Sequence, residues 1–223
     1  MTGQRRPVPA SRILVVCALG LALALPAAAA DTKAHTGFFL GVLGVQTGLG
    51  GDMDGHASIV DGEETYLVPE IEGASGYGLS LGRREASFSQ EISYYQIEHQ
   101  AAWKSAGLKA TSHWLEYIPR FYLTTRSALQ PFASLGLSYM WLDAENCASM
   151  GAKTDVATFY GLGLNLSGGL SIYLHPRIAL QGSGGYRILM VGRVKGGGGK
   201  AATIQETVWA DGPTFSGGLS LTF

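Results

Sequence analysis

Period-two alternation of apolar and polar residues runs through this chain from residue 36 onward. In residues 212–223, GPTFSGGLSLTF, the apolar positions Phe215, Leu219, Leu221 and Phe223 share one parity, and Thr214, Ser216, Ser220 and Thr222 share the other. Successive side chains of a strand point to opposite faces, so this is a strand with one apolar and one polar face. Residues 159–174 repeat the pattern most clearly: Leu162, Leu164, Leu166, Leu170, Ile172 and Leu174 stand against Gly161, Gly163, Asn165, Ser167 and Gly169. Residues 75–83, 86–98, 113–124, 131–142 and 177–190 alternate in the same way. Residues 36–47 carry apolar side chains on both faces, so the phase of that strand stays open. Pro119 interrupts its strand and predicts a bulge or a local twist. Together these segments predict about eight strands.

The connections add independent information. Residues 48–74, 99–112, 143–158 and 192–212 read as long connections; residues 84–85, 125–130 and 175–176 read as short ones. Strict alternation of long and short is the signature of an up-and-down antiparallel barrel.

The polar faces are mostly Gly and Ser, with the charges gathered mainly in the connections. A soluble barrel would place those faces in water, where surfaces typically carry about a quarter to a third charged residues. Turning the barrel inside out removes the conflict, with Leu, Ile and aromatics meeting lipid and the small polar residues filling a narrow lumen. After residue 30 no apolar run reaches transmembrane-helix length. A bilayer leaves no backbone N–H or C=O unsatisfied, so a spanning chain of this kind must close as a barrel.

The front of the chain has a different character. Arg5, Arg6 and Arg12 precede an apolar run at residues 13–25, followed by Pro26 and four alanines before Asp31. This reads as a cleaved secretory signal peptide over residues 1–30, leaving residues 31–223 as one barrel domain. Of the 2 Cys only Cys147 lies beyond it, so no disulfide framework is expected. Lys+Arg 16 against Asp+Glu 17 gives no basic excess, which argues against nucleic acid as a partner.

Several constellations could carry chemistry. Glu91, Glu116, Arg120 and Arg187 share the polar parity of their strands and project into the lumen. Buried charges persist only when paired. Glu91 and Arg120 lie on consecutive strands, and Arg187 could reach Glu116 across an interior that side chains can fill. The cluster is either a salt-bridged plug or an ion path. Trp114, Tyr139 and Trp141, with Phe215, fall near the long-connection end of their strands. Phe88, Phe121, Phe132 and Tyr173, with Tyr122 and Phe223, fall near the short-turn end. Two such rows are expected of girdles at two membrane interfaces.

Asp52, Asp54, Asp61, Glu63, Glu64, Glu70 and Glu72 crowd the first connection without a Lys or Arg, but the Gly after Asp54 comes too early for an EF-hand loop. They read as a solvated face, and no metal or cofactor is expected. Arg193, Lys195 and Lys200 make the last connection locally basic, suited to lipopolysaccharide phosphates or simply a flexible Gly-rich segment. A hydrolytic centre would need a nucleophile and a base in reach, and His99 or His113 with Ser93, Ser105 or Ser112 are the candidates. No His-x-Ser-Asn signature is present, and His175 sits in a tight turn.

The stretch GLGLNLSGGLSIYLHPRIAL (residues 161–180) and the closing GGLSLTF resemble the small eight-stranded outer-membrane β-barrel proteins, the OmpA/OmpX/opacity-like group. The resemblance covers residues 36–223. It implies an all-β, eight-stranded antiparallel up-and-down transmembrane barrel in the bacterial outer membrane. It implies that Phe215, Leu219, Leu221 and the terminal Phe223 form the signal read by the barrel-assembly machinery. The partners it implies are outer-membrane lipid and lipopolysaccharide, with an extracellular partner on the loops. That group is defined by architecture more than by an active site. The expected function is therefore non-enzymatic: envelope integrity, with loops available for adhesion or host contact. A narrow small-solute channel and a lipid A-modifying enzyme are the alternatives. The chain departs from the group in a first connection longer than is common, and no peptidoglycan-binding domain is expected after the barrel.

Overall fold

The computed structural model describes residues 35–53, 58–61, 64–67, 70–71, 73–103, 106–145, 149–150, 156–196 and 202–223. The signal-peptide reading, Cys147, Ser105, Lys200 and part of the acidic first connection lie outside them. Eight long strands form the wall: β1 Gly37–Thr47, β2 Ala74–Glu85, β3 Phe88–Trp103, β4 Ala106–Tyr122, β5 Leu129–Glu145, β6 Val156–His175, β7 Ile178–Gly196 and β8 Ala202–Thr222. Each pairs antiparallel with its neighbours in sequence, and β1 also pairs with β8, from Phe39 opposite Thr222 to Thr47 opposite Thr214. The β1–β8 pair closes the sheet. Within the first connection, Ser58–Asp61 and Glu64–Leu67 form a hairpin that also pairs with Ser149–Met150.

The open phase of β1 resolves to Phe38, Leu40 and Val42 outward, with Phe39, Leu43 and Val45 turned inward. Pro119 interrupts the ladder as its missing N–H requires, but inserts no residue. Pairing of β4 with β5 lapses over Ile118 and Pro119 and resumes in the same register at Arg120 opposite Ser134.

The wall is apolar outside. Leu164, Leu166 and Leu219 are 50%, 67% and 44% exposed, as are their counterparts around the barrel, while Ser93, Ser134, Ser138 and Ser220 are buried inside.

Three of the four long connections are shorter than the sequence reading has them. β3 runs to Trp103 and β4 resumes at Ala106; β5 runs to Glu145 and β6 starts at Val156; β7 runs to Gly196 and β8 starts at Ala202. The cause is a reversal of polarity along the axis. Toward this end Glu98, Gln100, Lys109 and Arg193 face outward and are exposed. Ile97, Trp114, Met140, Leu142, Phe159, Leu189, Val191 and Val208 pack inward with Leu49, Met53 and Ile71 from the first connection. These segments still alternate, but with the water-soluble sign.

The 20 residues of β6 rise ~3.3 Å each, which at a tilt of about 45° spans about 47 Å of axis, well beyond an apolar band of about 25 Å. The strands therefore overshoot such a band, and the excess is built as an ordinary barrel with a hydrophobic core.

Candidate functional site

The interior is stacked in three storeys. The middle one holds the charged residues singled out from sequence. On β4, Glu116 and Arg120 are four residues apart and so share the inward face. Glu91 comes from β3 and Arg187 from β7. All four are 5% exposed or less. Arg120 Nη2 lies 2.9 Å from Glu91 Oε2, and its Nη1 donates to Gln181 Oε1 at 2.6 Å. Ser93 Oγ donates to the other oxygen of Glu91 at 2.6 Å. Arg187 Nη2 reaches Glu116 Oε2 at 3.1 Å across the lumen, and Asn165 Nδ2 donates to Glu116 Oε1 at 3.0 Å. The Tyr95 hydroxyl accepts from Arg187 at 2.6 Å and donates to Glu116. The Arg187 guanidinium lies 4.2 Å from the centre of the Trp114 ring.

Two carboxylates and two guanidinium groups cancel in charge, and hydrogen bonds from Ser93 and Tyr95 on β3, Asn165 on β6 and Gln181 on β7 hold them. What remains open among them is a cavity of about 30 Å³, lined in part by Leu43, Tyr95, Ser134, Asn165 and Ser183. A single water needs about 10–15 Å³ by this measure, so the cavity is a water-sized void rather than a passage. Gly136 makes room for this arrangement: a Cβ there would collide with the Glu116 carboxylate.

The storey at the short-turn end was not evident from sequence. Arg84 points inward, donates to the Gln130 side chain and the Tyr173 hydroxyl, and lies 3.5 Å from the Tyr122 ring centre. His35, just before β1, stacks on Tyr173 with ring centres 3.5 Å apart. Arg84 lies next to a turn, which hid its parity with Gly82 and Ser80. That parity was the available signal.

The girdle assignment needs correction at four positions. Trp114, Tyr122, Phe132 and Tyr173 are 0%, 6%, 4% and 3% exposed and face the lumen, Tyr122 on the parity of Arg120. Each shares parity with a polar inward neighbour, Trp114 with Glu116, Phe132 with Ser134, and Tyr173 with Ser171. Tyr139, Trp141, Phe88 and Phe121 lie on the outward face. The outer row near the polarity reversal is Tyr94, His113, Trp141, Tyr139 and Tyr160. His113 stacks on Trp141 at 5.1 Å, and Tyr139 lies 6.5 Å from Tyr160. Phe215, Leu219, Leu221 and Phe223 all point outward from β8, with Leu219 opposite Val42 and Leu221 opposite Leu40 across the closing pair.

The His and Ser candidates separate. His113 is on the outside, its Nδ1 2.8 Å from the Tyr94 hydroxyl. His99 Nε2 lies 2.7 Å from Ser112 Oγ, a base–hydroxyl contact, but both are buried and the same hydroxyl accepts from Trp114 Nε1 at 2.8 Å. This hydroxyl is tied into the apolar storey and turned away from lipid. Among the described residues no group of three or more His, Cys, Asp or Glu could hold a metal ion.

No family model matches the chain, and no curated protein matches it. Among solved structures it is similar to Neisserial surface protein A (NspA), with 16% identity and a TM-score of 0.50 over 83% of this chain and 97% of that one. It is also similar to the outer membrane protein OprG from Pseudomonas aeruginosa, with 12% identity and a TM-score of 0.51 over 86% of this chain and 99% of that one. At these identities the likeness is one of fold: the chain is an eight-stranded, closed, antiparallel β-barrel of the kind those two proteins have.

Proposed function

We propose that this is an outer-membrane protein of the bacterial envelope, exported by a signal peptide over residues 1–30 and inserted through its closing strand. In this reading the barrel-assembly machinery engages Phe215, Leu219, Leu221 and Phe223. The barrel carries no catalytic centre. It contributes to envelope integrity and offers its water-facing end to other surfaces in adhesion or host contact. The observation that carries this reading is the polarity of the wall: exposed leucines outside, with paired Glu and Arg within. In water that arrangement would expose apolar surface at roughly 25 cal/mol per Å² while burying charge, and in a bilayer it is the favourable one. The outer-membrane name of OprG is consistent with the location.

The plugged lumen speaks against a small-solute channel, and the buried His99–Ser112 pair against a lipid-modifying enzyme. The test is expression of the full chain in a Gram-negative host, followed by membrane fractionation, gel migration with and without boiling, and planar-bilayer recording. Recovery in the outer membrane, a heat-dependent shift and electrical silence are expected. An unchanged band would remove the barrel; steady unit conductance would replace the reading with the channel. Loss of cell binding on replacing residues 48–73 with a short linker would localise the contact surface.

A further inference from the structure

The outer wall has one irregularity at the level where its polarity reverses. Against β6, β7 pairs Val191 with Gly161 and then Arg193 with Tyr160, so Gly192 is an extra residue; the pairing of β7 with β8 also shifts between Val191 and Arg193. A bulge of this kind bends the strand and re-aims its side chains. Here it accompanies an outward-facing groove of about 270 Å³, lined by Leu162, Met190, Tyr139, Tyr160, Gly192 and Arg193. Ligand pockets usually begin near 300 Å³, so the groove suits one chain segment rather than a whole lipid.

Position and charge narrow the occupant. Leu162 lies opposite Tyr139 in the outer aromatic row, so the apolar part of the groove sits at the lipid boundary. Arg193 is exposed at the water-side end, and Lys195 follows on the same outward face opposite Thr158. Among the residues whose side chains are described, an acidic group near them is Asp143, whose carboxylate accepts a hydrogen bond from Thr158 at 2.6 Å. The groove thus runs from apolar side chains to two cations one pleat apart. Gly192 keeps it open. A Cβ there would meet nothing within 4 Å, and its φ lies outside the left-handed region, so neither packing nor backbone demands glycine.

We propose that this groove holds an acyl chain of a phosphorylated glycolipid of the outer leaflet, lipid A, with its phosphates on Arg193 and Lys195. The inference rests on the outer-membrane reading above. A ligand with two phosphates matches two cations on one face better than a single-phosphate lipid does, and the groove opens toward the end that the reading places outside.

The test uses full-length protein purified in mild detergent and checked for the heat-dependent gel shift. Native mass spectrometry then reads retention of added lipid A or phosphatidylglycerol. Wild type is expected to retain lipid A preferentially. Gly192→Leu, which fills the groove, and the surface pair Arg193→Glu with Lys195→Glu are each expected to lower retention by about tenfold. The charge variant lies on the exposed face and keeps the test open if Gly192→Leu does not fold. Equal retention by wild type and variants overturns the site, and equal retention of phosphatidylglycerol overturns the glycolipid. Absence of the gel shift in wild type overturns the underlying barrel reading instead.

Discussion

Arg187 on β7 meets Glu116 on β4 at 3.1 Å, although β5 and β6 separate the two strands around the wall. The pair is a strut across the lumen. Asn165 on β6 adds a hydrogen bond to Glu116 and Tyr95 on β3 one to each partner, while Arg187 Nε and Nη1 stay buried without one. Leaving one buried charge without its partner costs about 3–5 kcal/mol, whereas replacing both by apolar groups is often close to neutral. Glu116→Gln and Arg187→Met should each lower the denaturant midpoint of the refolded barrel substantially. The double variant should lose less than the sum of the two. Strict additivity in that cycle would mean that the pair is not coupled.

Gly136 should resist replacement because of the charged cluster beside it. Its missing side chain leaves the space the Glu116 carboxylate occupies, so Gly136→Ala displaces that carboxylate and disturbs both partners; overpacking of this kind costs about 1–3 kcal/mol. Gly182 faces outward, and a Cβ there would come no nearer than 4.0 Å to the Ser216 carbonyl oxygen. Gly182→Ala should be silent in the same unfolding assay. Equal effects at the two positions would contradict the packing described.

Much of this was legible in the sequence because period-two alternation is local. Leu164 and Leu166 declare their face with no knowledge of the neighbouring strand, and the parity of Glu91, Glu116, Arg120 and Arg187 puts them on the other. Which acid meets which base depends on register and on the curvature of the closed wall, which parity does not encode. The extra length of the strands is hidden in the sequence for a different reason. Beyond the aromatic row the alternation continues with its sign reversed, Glu98 outward beside Ile97 inward, so a reading tuned to lipid-facing strands saw connections there. At Trp114 aromatic character points to lipid and parity to the lumen, and parity decides. Two residues from Glu116 on one strand, it could only face the lumen.

The tryptophans can test this directly. Trp114 is fully buried inside, whereas Trp141 and Trp209 lie on the outer face near the polarity reversal. In single-tryptophan variants reconstituted with brominated lipids, Trp141 and Trp209 should be quenched and Trp114 should not. Quenching of Trp114 would return it to the lipid-facing row.

Depth along the wall makes a graded prediction. An Arg on the lipid face costs about 2–4 kcal/mol at the bilayer midplane and about 0–1 near an interface. Leu166→Arg, two pleats below Leu162 at the outer aromatic row, should be strongly destabilising. Thr158→Arg, in the outward row that pairs with Lys195 and Asp143, should be nearly neutral. Equal costs at both sites would show that the polarity reversal does not mark the membrane boundary.

Ser112 separates a structural from a chemical use of the His99 contact. Its hydroxyl is shared by His99 Nε2 at 2.7 Å and Trp114 Nε1 at 2.8 Å inside the apolar storey. A nucleophile needs a free approach for substrate, and this one is fully buried, facing the opposite side of the wall from lipid. Ser112→Ala removes the acceptor of the buried Trp114 Nε1–H, and a buried donor left unsatisfied costs about 1–3 kcal/mol. The variant should therefore unfold at lower denaturant. Cells producing wild type or Ser112→Ala should carry lipid A of identical acyl composition by mass spectrometry. His99→Ala should behave alike on both counts. A change in acyl composition that requires Ser112 and His99, in variants that keep the heat-dependent shift, would instead make the buried pair catalytic.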